Sequence, residues 1–81
     1  MTPTPVVALN RAVAVAEVAG PAEALALVEE LELDRYHLYH SVRGNLLTRL
    51  DRDAEATAAY ETALTLAPNE AERTLLRRLL G

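Results

Sequence analysis

Apolar residues recur along this chain at spacings of three and four, the period of a helix facing a core, and no stretch shows the alternation of a half-buried strand. The pattern predicts five helices joined by tight turns. Thr4 before Pro5 is a helix start, a capping hydroxyl followed by a proline where its missing donor does no harm, and the first helix runs to about Ala19. Gly20-Pro21 breaks it, and a second helix follows from about Pro21 to Leu33. Asp34 is the expected cap of a third helix over about residues 35–50, and the DRD turn at Asp51 to Asp53 the expected cap of a fourth over about 53–66, which Pro68 closes. Asn69 and Glu72 stand at capping-box spacing before a fifth helix with Leu75, Leu76, Leu79 and Leu80 on one face and Arg73, Arg77 and Arg78 elsewhere. The connections suit only antiparallel neighbours.

The first helix departs from this amphipathic pattern. Val6, Val7, Leu9, Val13, Val15 and Val18 point in several directions, and only Asn10, Arg11 and Glu17 are polar. A helix apolar all round is normally buried all round, and the rest of so short a chain covers only part of it, so this helix either meets an upstream helix, a second copy or a partner, or packs under the fifth helix.

The chain also repeats itself. AEALALVE at Ala22 to Glu29 returns 32 residues later as AEATAAYE at Ala54 to Glu61, and the same offset pairs Arg11 with Arg43, Ala12 with Gly44 and Ala24 with Ala56. Repeats of this kind are supersecondary units that cannot bury their apolar faces alone, so neighbours stack into one core and function lies on the surface the stack presents.

Composition narrows the classes. A chain of 81 residues makes one small domain, which buries only about 60% of the surface its unfolded form exposes. It has no cysteine, which excludes disulfides, thiolate metal sites and thiol nucleophiles. Although 51% of residues are apolar, charges interrupt every run well before the roughly 20 residues a membrane span needs. The opening MTPTP lacks the features of a signal peptide, so a cytoplasmic location is expected. Net charge is −4, and all eight basic residues are arginine. Residues 1–34 carry six carboxylates against one arginine and residues 35–81 seven arginines against six carboxylates, so neither half offers the clustered cations that nucleic-acid binding needs. No phosphate loop, nucleophile elbow or paired-carboxylate constellation is present, and Ser41 is the single serine. His37 and His40 sit three apart but have no defined third ligand. The expectation is a protein without catalytic activity, cofactor or metal.

Gly44, Ala56, Tyr60, Ala63 and Pro68 are spaced like the small, small, aromatic, small and proline positions of a tetratricopeptide repeat, which the second repeat resembles. Ala12, Ala24, Val28 and Leu31 are the looser counterparts in the first. His40, Arg43 and Leu47 depart from the usual large apolar residue, leucine and tyrosine. The resemblance implies an all-α, right-handed superhelix within a single domain over 1–81: one hairpin over about 5–35, a second over about 36–68, and a capping helix over about 69–80. It places Val6, Leu9 and Val13 on the inner groove of the first repeat, and Ser41, Asn45 and Arg49 on that of the second. Asparagine and basic residues at such positions grasp C-terminal carboxylates in some tetratricopeptide domains, although the lysines of that clamp are absent here. Arg11 and Arg43 stand where leucine is usual. They either present guanidinium forks to an acidic partner or pair with carboxylates of the second and fourth helices.

Three longer strings, ALNRAVAVAEVAGPAEALALVEEL, YHLYHSVRGNLLTRL and AYETALTLAPNEAERTLLRRL, occur in the order seen in the C-terminal tetratricopeptide-like extension of one group of bacterial extracytoplasmic-function RNA polymerase sigma factors, which this chain resembles. The resemblance implies a regulatory, partner-binding appendage used in transcription initiation and a fragment of a longer protein. Its partners would be the sigma core domains upstream, RNA polymerase or a separate regulatory protein, with no direct contact to nucleic acid. A free-standing adaptor for peptides or proteins is the alternative, and a homodimer through the apolar first helix is a further way to cover that helix.

Overall fold

Thr4 accepts a hydrogen bond from the Val7 amide at 3.2 Å through its hydroxyl and so starts the first helix, with Pro5 at its first position. The computed structural model describes residues 4–81, and among them it contains five helices and no strand. These are α1 (Pro5–Ala19), α2 (Pro21–Glu29), α3 (His37–Arg49), α4 (Asp53–Leu66) and α5 (Glu70–Leu80). None is long and apolar enough to cross a membrane.

The turns differ from expectation in three places. α2 stops at Glu29 rather than Leu33, because the chain bends through Glu32 at a left-handed φ of 51°. Leu31 and Leu33 then pack on the core from irregular backbone. α3 begins at His37 with Tyr36, not Asp34, at its cap; the Asp34 carbonyl instead accepts from His40 Nε2 at 2.7 Å. The DRD turn both ends α3 and leads into α4, with Arg52 at the N-cap of α4 but no capping hydrogen bond from its side chain. Asp51 takes a left-handed φ of 59°, its amide donates to the Thr48 carbonyl at 3.0 Å, and the Arg52 amide donates to Leu47 at 2.9 Å, which together make a Schellman closure. Asp53 and Glu55 then lie in the first turn of α4, where carboxylates suit the helix dipole. Asn69 caps α5 by accepting from the Glu72 amide at 2.9 Å, but the Glu72 carboxylate turns toward His37 instead of completing a capping box.

α1 packs on α2, α3 on both of them and on α4, and α5 on α4. The helices form a slab with Cα extents of 31 × 31 × 17 Å, thin enough for two helix layers about 10 Å apart. The helix starts keep the sequence offset: Pro5 answers to His37 and Pro21 to Asp53. Leu9, Ala12 and Ala16 of α1 meet Ala24, Leu25 and Val28 of α2, Leu46 and Leu47 of α3, and Ala56 and Ala59 of α4 in one core cluster. Tyr60, Ala63 and Ala67 close over Leu76 of α5 in a second. No polar or charged side chain is buried among the described residues.

Close approach between α3 and α4 depends on Gly44. A Cβ added there would lie 2.7 Å from the Tyr60 ring, so the ring occupies the space a side chain would need. The first hairpin has Ala12 and Val28 at the corresponding places, a larger residue facing a smaller one.

Candidate interaction surface

Val13 of α1, five residues of α3 (Ser41, Val42, Asn45, Leu46 and Arg49), Tyr60 of α4 and Leu79 of α5 enclose a groove of about 360 Å³. Its walls are mostly apolar, with the Ser41 hydroxyl, the Asn45 amide and the Arg49 guanidinium as polar points. Val13 is 43% exposed, so its methyl groups are available to a ligand. Arg49 reaches Glu17 of α1 at 3.6 Å, and both side chains remain largely in solvent. Such an exposed pair is worth at most about 1 kcal/mol, so an incoming anion can compete for the guanidinium at small cost.

The expected groove residues divide. Val13, Ser41, Asn45 and Arg49 come together on one concave face. Leu9 does not join them: at 3% exposure it belongs to the core, on the inward stripe of α1 with Ala12 and Ala16. Val6 is 44% exposed and lies outside the groove lining. Four lining residues were missed. Val42, Leu46 and Tyr60 belong to helix faces that the repeat pattern assigns to packing. Leu79 comes from a helix whose leucines share one face in the sequence pattern, yet Leu75 and Leu79 are each 52% exposed while Leu76 is buried.

The two repeated arginines have different surroundings. Arg43 is held by Glu29 of α2, with Nε and Nη2 each 3.0 Å from Oε2. Arg11 has no carboxylate within ion-pair distance among the described residues, and lies on the far side of α1 from the groove, over Ala8, Ala12, Leu27, Glu30 and Leu31.

The histidines serve packing. Tyr36 meets His37, and Tyr39 meets His40, in edge-on ring contacts, and His37 Nε2 lies 3.7 Å from Glu72 of α5. No three His, Asp or Glu side chains converge as a metal site among the described residues. The perturbed acids sit away from the groove. Arg52 hydrogen-bonds Glu55 at 2.6 Å and holds that carboxyl below its ordinary range, while the Arg52 guanidinium is raised by the same bond. Arg73, bonded at 2.8 Å and adding its charge, lowers Glu70 in the same way, helped by Arg77.

An uncharacterized protein of Rhizobium meliloti (strain 1021) is 48% identical to this chain over 82 residues, an alignment that takes in 99% of the chain. The chain spans 19% of that relative's length. No family model matches the chain, and no solved structure matches it significantly.

Proposed function

We propose that this chain is a non-catalytic protein-interaction and regulatory domain of an extracytoplasmic-function sigma factor, acting in transcription initiation through contacts with the sigma core domains, RNA polymerase or a regulatory protein. The observation that carries the reading is the concave groove. Val13, Ser41, Asn45 and Arg49, chosen from the tetratricopeptide-like register, converge there from two helices 32 residues apart in that register. A mostly apolar trough with a few polar points is the usual form of a site that receives a peptide segment or helix. On this reading the helices continue a right-handed superhelix of two tetratricopeptide-like hairpins capped by α5. The three sequence strings supply the sigma-factor assignment, and a relative in which this stretch is only 19% of the length agrees with an appendage on a larger protein.

The test is a binding assay between the purified chain and two baits, RNA polymerase and a sigma factor's core domains. Val13→Glu and Arg49→Glu both alter exposed groove positions. Each is expected to weaken capture at least about tenfold while leaving the unfolding midpoint within a few degrees. Absence of binding to either bait, or binding indifferent to both substitutions, sinks the proposal. Selection of free peptide C-termini from an array, with no polymerase or sigma contact, would favour the free-standing adaptor, for which Asn45 and Arg49 are the available carboxylate donors.

A further inference from the structure

The 32-residue correspondence allows each helix to be compared with its equivalent, and α1 lacks a neighbour that α3 has. α3 sits against α2, where Arg43 meets Glu29 and Leu47 is fully buried. The equivalent residues of α1 are Arg11 and Val15, with Val18 one turn further on. Arg11 has no carboxylate partner among the described residues, Val15 is only half-buried, and Val18 is 90% exposed. Arg11, Ala14, Val15, Val18 and Ala19 line a shallow apolar depression. On the neighbouring helix Leu27 is 40% exposed, whereas its equivalent, Ala59, is buried.

We infer that the outward face of α1 is the docking site of an acidic, amphipathic helix resembling α2, supplied by the polypeptide preceding α1, with a carboxylate that pairs with Arg11. The charge is specified by the Arg43–Glu29 pair, since Arg11 repeats the arginine and lacks only the acid. Apolar matching is specified by Leu47, whose equivalent is Val15. In the Rhizobium relative the matched stretch is 19% of the length, so that protein has further chain beyond the equivalent of these five helices. A second copy of this chain is a poor occupant: α2 already spends this face on α3, and α4 spends its own on α5. The inference is independent of what fills the concave groove.

The test places a copy of residues 5–36 between Thr4 and Pro5, so that the copy's Glu29 precedes Arg11 by the same 14 residues that separate Glu29 from Arg43. The extended chain is expected to unfold at least about 4 °C above the original by circular dichroism. Arg11→Glu should lower that midpoint in the extended chain but leave the original nearly unchanged, and Glu29→Arg in the copy should restore it. Equal effects of Arg11→Glu in the two chains overturn the inference. So does sedimentation of the original chain as a dimer that Arg11→Glu dissociates, which would make a second copy the occupant. In the full polypeptide, Val15→Cys should react with a maleimide at least about tenfold more slowly than in the 81-residue chain. Equal rates, read on the peptide containing residue 15, show that no preceding helix covers the face.

Discussion

The hairpin α1–α2 and the hairpin α3–α4 start their helices at equivalent positions, yet the second buries side chains that the first leaves in water. Leu46 and Leu47 are at 1% and 0% exposure, while Ala14 and Val15 at the same places are exposed and half-buried. The difference comes from position in the stack: α3 has helices on both sides and α1 on one. In a repeat architecture, burial is therefore a property of the interface between units as well as of the unit itself.

The sharpest way to break this comparison is to truncate equivalent residues. Leu47→Ala is expected to cost about 3 kcal/mol, the usual cost of a leucine cavity in a closed core, and Val15→Ala less than about 1 kcal/mol in urea unfolding because its site is half open. Equal losses would mean that the α1 face is already covered in solution.

A smaller effect tests the opposite exchange of volume between hairpins. Gly44→Ala drives a methyl group into the Tyr60 ring and is expected to cost about 1–3 kcal/mol by overpacking. In a Tyr60→Val background, which reproduces the Ala12 and Val28 pairing of the first hairpin, that cost should fall to about 0.5 kcal/mol or less in a double-mutant cycle. Strict additivity would show that Gly44 serves the helix backbone and not the ring.

Much of the fold was legible. Thr4-Pro5, Gly20-Pro21 and Asn69 are local signals whose chemistry acts within one turn, and the structure places helix ends at each. The end of α2 was not legible, because EELELD contains no glycine or proline and the chain bends there only to bring α3 against α1 and α2. Asp51 adopts a left-handed turn that aspartate tolerates without advertising it. In the groove, Val13, Ser41, Asn45 and Arg49 follow from repeat register, a periodic property. Leu9 misled because an all-round apolar helix hides which stripe faces inward. Leu79 was missed because exposure on α5 is decided by where that helix rests on α4.

The smallest expected effect concerns acid. Glu55 and Glu70 are both held below their ordinary range by arginines, and both sit in the second half of the chain. A carboxyl lowered in the folded state contributes stability that is present above its unfolded value, about 4.3, and is lost as pH falls through the lower folded value. Amide protection at the start of α4 and along α5, taken relative to the intrinsic exchange rate at each pH, should therefore fall slightly on acidification below about pH 4, before that of α1 and α2. Uniform loss of protection across both hairpins would remove this distinction.

The corner between α1 and α2 has a consequence for substitution. Gly20 alone joins the two helices, at a φ of 98° that its lack of a side chain allows, and an added Cβ would meet nothing within 4 Å, so backbone conformation and not crowding sets the requirement. With one residue between Ala19 and Pro21, the turn has no second position that could take over this conformation, so Gly20→Ala is expected to loosen the corner through backbone strain although the added methyl group would find open space.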